Sequence, residues 1–251
     1  TKFTGAGSFT VLVINDYVAA LVGKNVTLIL TNGLTVKAAS KVNAVTIAGS
    51  VAYGGSKSAG VGINTIIHNS KVNVGLGDGS TVTGANGGLC NGDVTISASG
   101  ELDLTSILVA AAASSSRTGS DGKKAAGEGV INIFVNGNNV TAGIGKNATI
   151  KTKGNVKLTA ASKLGYTGIT GGIAASGGHG IGASVSVIVV NTNTLAQIGN
   201  GANITAGGNL TVSADSEETI VSVIVNGAAA GSNGVAAAVS PAVNVIRGST
   251  V

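Results

Sequence analysis

Ten acidic residues, two histidines and one cysteine are all that this 251-residue chain offers for acid–base, metal or nucleophilic chemistry. Carbohydrate-active β-helices work with clustered carboxylates, or with a base placed to remove a proton. The nearest approach here is Glu101 with Asp103, which share a face if that stretch is extended, and the adjacent Glu217 and Glu218. Both pairs read as solvent-facing charges near turns. Asp78, in GLGDGS, resembles part of a calcium loop, but the repeated GGxGxD nonapeptide that stacks calcium ligands is missing. His68 and His179 have no cysteine or carboxylate at ligand spacing. Cys90, in GANGGLCNG, has no patterned His, Asn or Asp around it and reads as an incidental loop thiol. As the single cysteine it also excludes an internal disulfide. GSDGKKAAGEG has glycine and lysine but neither the spacing of a phosphate loop nor a helix after it. The residues therefore predict no enzyme, no cofactor, no metal and no nucleotide.

The elements that would carry such residues are set by composition. The chain is 43% hydrophobic but only 2% aromatic, with no Trp or Met, one Pro and 41 glycines. Val, Ile, Leu and Ala must fill the core, and so many glycines among β-branched residues predict short strands between tight turns. Only 10% of residues are charged, so Asn, Thr, Ser, Gly and Ala must form most of the surface. The net charge of +5 comes from scattered lysines with two arginines, not from a dense basic stripe, which argues against nucleic acid. No apolar run reaches the roughly 18 residues of a membrane-spanning helix. The opening TKFTGAGSFT is not a signal peptide and lacks an initiator Met, so the chain is expected to be a piece of a longer protein.

Internal repetition organises the rest. The phrases NDYVAALVG, NSKVNVGLG and NTNTLAQIG, with the degenerate GNNVTAGIG, close at Gly23, Gly77, Gly145 and Gly199, spaced by 54, 68 and 54 residues. A second phrase, LTVKA, VTISA, VKLTA or LTVSA, follows at a nearly constant distance. The long unit carries two insertions, of 6 and 8 residues, on an otherwise fixed scaffold. Each unit reads as five strand-like pieces punctuated by glycine turns. The fold class expected is all-β: a parallel β-solenoid, taken as a right-handed β-helix, occupying residues 1–251 as one segment. A 54-residue period looks too long for one coil, so each unit is expected to form two coils of 20 to 30 residues. That gives about nine coils in a rod of roughly 45 Å, with a narrow tube of aliphatic rows inside. Both ends cut through a repeat.

GNLTVSA-like strands, stretches such as GGIAASGGHGIGASVSVIVVN, and closing AQIG phrases together resemble the large exoproteins of the filamentous-haemagglutinin type. Within these the chain looks most like the fusobacterial leukotoxin family of filamentous adhesins. The resemblance implies a Gram-negative secreted or cell-surface protein, exported by an outer-membrane transporter, with a role in adhesion or toxicity. It supplies no catalytic or binding residue. For surface contacts the sequence offers two places. One is the larger insertion, SSSRTGSDGKKAAGEG, with Arg117, Asp121, Lys123, Lys124 and Glu128 on a projecting loop. The other is the run Lys146, Lys151, Lys153, Lys157 and Lys163, in a stretch without acidic residues between Glu128 and Asp215, which suits sulfated glycans or anionic head groups. The function expected is a structural and adhesive segment whose partner is a host-cell surface protein or glycan, the fragment itself being monomeric. The alternatives are an ice- or crystal-binding solenoid, on Thr27, Thr81, Thr149 and the aligned Ile204, and a carbohydrate-active enzyme.

Overall fold

The structure is a computed structural model that describes residues 3–115 and 124–251. Alternation of inward and outward side chains runs unbroken over stretches of about twenty residues, and each stretch is one strand. The first coil comprises β1 (Phe3–Val22), β2 (Thr27–Ile29) and β3 (Leu34–Gly54). The second comprises β4 (Lys57–Leu76), β5 (Thr81–Thr83) and β6 (Val94–Ser114), and the third β7 (Ala125–Ile144), β8 (Thr149–Thr152) and β9 (Val156–Ser176). The fourth is β10 (His179–Ile198), β11 (Asn203–Ala206) and β12 (Leu210–Ala229), followed by β13 (Ala236–Val239) and β14 (Ala242–Thr250). Equivalent strands stack in parallel. A long front sheet runs β1-β4-β7-β10, with β13 and β14 both pairing β10, a short end sheet runs β2-β5-β8-β11, and a long back sheet runs β3-β6-β9-β12. The chain is a parallel β-solenoid with a flattened, hairpin-shaped coil.

The register corrects the expected coil. Phe3 pairs with Lys57, Lys57 with Ala125, and Ala125 with His179, so one whole unit makes one coil. The described residues form four coils and part of a fifth, roughly 20 Å of stack at ~4.8 Å per layer, less than half the expected rod. The glycines read as turns at 33, 92, 154, 177 and 208 do lie between strands. Five strand-like pieces are nonetheless three strands, because pieces read as separate run on without a turn: VKLTA and KLGYTGITGGIAAS together are β9, internal glycines included. Such glycines mark close approach of the facing sheet. A Cβ on Gly60 would lie 2.7 Å from the Ala111 carbonyl oxygen. Both insertions map to links. The smaller lies between β5 and β6 around a 3-10 turn at Ala85–Gly87, and the larger between β6 and β7, where residues 116–123 lie outside the described chain.

The interior is also not a uniform aliphatic tube. Near the end sheet it is aliphatic, with Val72, Val74, Val82, Ile96, Ile144, Ile150 and Leu158 in one buried cluster. A middle cluster centres on Phe134 stacked on Tyr166, ring centroids 4.2 Å apart. Beyond it, toward the tight β3–β4 link, inward positions are small or polar: Asn64, Asn132, Ser106, Ser184 and Ser186 are all buried. The asparagines there find partners inside the solenoid. Asn64 Nδ2 donates to Ser106 Oγ at 2.8 Å, and Asn132 Nδ2 donates to Tyr166 Oη at 2.9 Å.

Outside, the polarity reverses along the same line. Around the end sheet the outer faces carry Lys, Asp, Glu, Asn and Thr. Toward the tight link they carry Val, Ile, Gly and Ala: on the front sheet Val13, Ile67, Val135, Val189 and Val245 form one stacked column, and on the back sheet Ile47, Ile107, Ile169 and Val223 form another.

Stacking also explains the turn after each front strand. Gly79 (φ +67°) follows the bend in the second coil as Asn25 (φ 55°) does in the first, and Asn147 (φ 55°) and Gly201 (φ +74°) repeat the pair above them. Only Asn and Gly tolerate this left-handed region cheaply. The alternation is steric as well: a Cβ on Gly79 would lie 2.3 Å from Asn25 Oδ1, and one on Gly201 would lie 2.2 Å from Asn147 Oδ1. Gly87, at φ +71°, has nothing within 4 Å of such a Cβ. Gly79→Ala is therefore expected to lower stability clearly more than Gly87→Ala, which bears only the backbone cost of about 1–2 kcal/mol. Urea unfolding of the two variants measures the difference.

Candidate interaction surface

Three of the acidic residues singled out by sequence, Asp78, Glu101 and Glu217, acquire partners through the stacking. Asp78 does not sit in a calcium loop. Its Oδ1 accepts the Lys146 amide at 2.9 Å, and its Oδ2 lies 3.2 Å from Lys24 Nζ, so it ties the turns of three successive coils. The amide first, and the ammonium second, hold its carboxyl below the ordinary range. Asp93 Oδ1 likewise accepts the Asn155 amide at 2.7 Å, and Asn155 Oδ1 accepts the Asn209 amide at 2.9 Å. Glu101 and Asp103 do share the outer face of β6. Glu217 and Glu218, being adjacent in β12, point to opposite faces and form no carboxylate pair.

Glu101 belongs to a ladder. Lys41, Glu101, Lys163 and Glu217 occupy the same register in four successive coils, an alternating column of charge along the solenoid axis. Lys41 Nζ lies 3.1 Å from Glu101, and Lys163 Nζ 3.7 Å from Glu217. With Ser40, Gly100, Ser162 and Ser216 this column lines a shallow groove of about 490 Å³ across the back sheet.

The two lysine-bearing places lie at opposite ends of the coil. Lys124 immediately precedes β7, at the tight end, while Arg117 and Lys123 lie outside the described residues, as does Asp121. Lys146, Lys151, Lys153, Lys157 and Lys163 wrap the end-sheet side of the third coil. They are not as isolated from acid as the sequence suggests, because acidic residues absent from their own coil arrive from the layers above and below. Lys146 meets Asp78, Lys163 meets Glu217, and Lys151 Nζ donates to the Gly87 carbonyl at 3.2 Å.

Cys90 and His68 need correction. Cys90 is fully buried, packed with Val82 and Val94, and its backbone bridges to Thr152 of β8. It extends the end sheet instead of dangling in a loop. His68 points into the solenoid, where Nδ1 lies 2.7 Å from Asn136 Oδ1 and Nε2 lies 3.4 Å from Asp16 Oδ1. Asp16 also accepts from Ser70 Oγ at 3.0 Å and from Ser40 Oγ. The repeat offset could have found this pair, since it places residue 68 above residue 14, one inward position from Asp16. Thr27, Thr81 and Thr149 do stack in one register, but the next position in that column is Asn203 and not Ile204.

Glu128 was grouped with the projecting loop, but it is an inward residue of β7, 6% exposed. Glycine makes its room. It stacks between Gly60 and Gly182 and faces Gly172, where a Cβ would lie 1.8 Å from its carboxyl carbon. Neither carboxyl oxygen has a hydrogen-bond partner. A carboxyl buried this way costs stability whenever it is charged. Glu128→Gln, which keeps the shape without the charge, should therefore melt no lower than the wild type at pH 8; a clearly lower melting temperature would mean that a partner holds the carboxylate.

Comparison with protein-family models, with curated proteins and with solved structures finds no match to the chain.

Proposed function

We propose that this solenoid is a structural and adhesive segment of a large exported bacterial surface protein or toxin, of the leukotoxin-like filamentous type. It is read as a rigid stalk that presents side-chain columns and inserted loops to a host-cell surface protein or glycan. The observation that carries the reading is that chemistry-bearing residues are used to join coils, while variation is confined to links. Asp78, Asp93 and Glu101 all contact neighbouring layers, and the two insertions leave the strand register unchanged. Loops on rigid scaffolds commonly carry recognition. Export through an outer-membrane transporter is part of the same reading. The partner would engage the larger insertion, with Arg117, Lys123 and Lys124, or the lysines at 146, 151, 153 and 157.

The test is binding of the 251-residue chain to host cells and to a glycan array, beside a form in which residues 115–124 are replaced by the two-residue link of the first coil. Saturable binding that the shortened link abolishes is the expected result. No saturable binding by either form would remove the adhesive reading.

A further inference from the structure

The half of the coil nearest the tight link is built inside out. Its inward residues are mostly small or polar, with Leu108, Val130 and Phe134 among the large exceptions, and its outward residues are mostly aliphatic, on both the front and the back sheet. On the front sheet the outward positions 5–13, 59–67, 127–135 and 181–189 hold Gly, Ala, Val, Ile and Phe, with Thr65 the single polar residue. On the back sheet the outward positions 45–53, 105–113, 167–175 and 221–229 are equally free of charge, with Thr105, Thr167 and Tyr53 the polar members. The face stays accessible in the inner coils, where stacked neighbours cover part of each side chain: Ile173 is 61% exposed, Val109 47% and Val61 46%. Exposed apolar surface this continuous marks a binding face.

Four observations identify what covers it. The apolar surface lies on both flat faces at the same height, whereas a folded partner laid on one face would leave the other bare. Nine residues at ~3.3 Å each make the band about 30 Å tall, the thickness of a bilayer's hydrocarbon core. Apolar-out, polar-in alternation is the pattern of strands that cross lipid. Finally, cations border the band at the tight end, where Lys57 and Lys124 sit, and the charged end-sheet half borders it on the other side. We infer that this half of the solenoid is a fin that embeds in a lipid bilayer, with the strands along the membrane normal and the solenoid axis in the membrane plane. Within each sheet the amides of inner strands are paired by neighbouring coils, as hydrocarbon requires. The outer edges of the first and last coils need the same pairing wherever they meet hydrocarbon. Among the described residues no helix is long and apolar enough to cross a membrane, and the inference concerns strands alone.

The experiment is flotation of the 251-residue chain with phosphatidylcholine vesicles, with and without one fifth phosphatidylglycerol. It is run beside Ile47→Lys/Val51→Lys on the back face, Val11→Lys/Val13→Lys on the front face, and Thr35→Lys in the polar half. All five positions face outward, so circular dichroism should be unchanged. The chain is expected to float with both vesicles, more strongly with the anionic ones. Each double variant should lose roughly tenfold or more, since lysine near mid-bilayer is costly, and Thr35→Lys should behave as wild type. An environment-sensitive dye on Ile47→Cys should be quenched by lipids brominated at mid-chain, and the same dye on Thr35→Cys should not. Absence of flotation, or flotation indifferent to the double variants, overturns the inference. So does a dimer in solution that the double variants dissolve without any vesicle binding, which would assign the band to a second copy of the chain.

Discussion

In-register parallel stacking of coils is the constraint from which the rest of this structure follows. Each long strand pairs over its full length with its equivalent in the neighbouring coil, so every side chain sits on a column of its counterparts. A residue type is then tolerated only if it can live beside itself or beside a complement. Alanine repeats in all four coils at Ala38, Ala98, Ala160 and Ala214 because the column there is small and buried in its inner layers. Charges alternate at Lys41, Glu101, Lys163 and Glu217 because like charges one layer apart would repel. Asn and Gly alternate at the left-handed bend because an Asn side chain fills the space over the next coil.

The same constraint accounts for what the sequence disclosed and what it hid. The 54-residue period, the two insertions and the parallel solenoid were legible, since stacking imposes the same turn residues at the same offset. The size of the coil was not. Strands of twenty residues lie well beyond ordinary length, so VKLTA and KLGYTGITGGIAAS read as separate pieces although no turn divides them in β9. Contacts between coils were hidden for a related reason. Asp16 and His68 are far apart in sequence and share no motif, yet the repeat offset brings them together inside the solenoid. Glu128 looked like part of a charged loop because its neighbours on one side are polar, whereas strand alternation turns it inward among three glycines.

Function, on this account, is divided between the two halves of the coil. The end-sheet half has a conventional aliphatic core and a charged exterior held by cross-coil bonds, and it supplies rigidity and the grooved charge column. The tight half reverses that polarity, with Asn, Ser and Thr among its inward residues and Val and Ile outside. Glu128 is the one acidic residue described there. Its carboxyl is buried between two closely packed sheets, in space that glycines leave open.

Whether one repeat makes one coil is decided most directly by cross-linking. Val45 and Thr105 lie side by side on the outer face of the back sheet, one coil apart. With both changed to Cys, mild oxidation should close a disulfide in the native chain, because Cα atoms one layer apart fall within disulfide reach. The native Cys90 is fully buried and does not compete. If each repeat instead formed two coils, these positions would be about 10 Å apart and the pair would stay reduced.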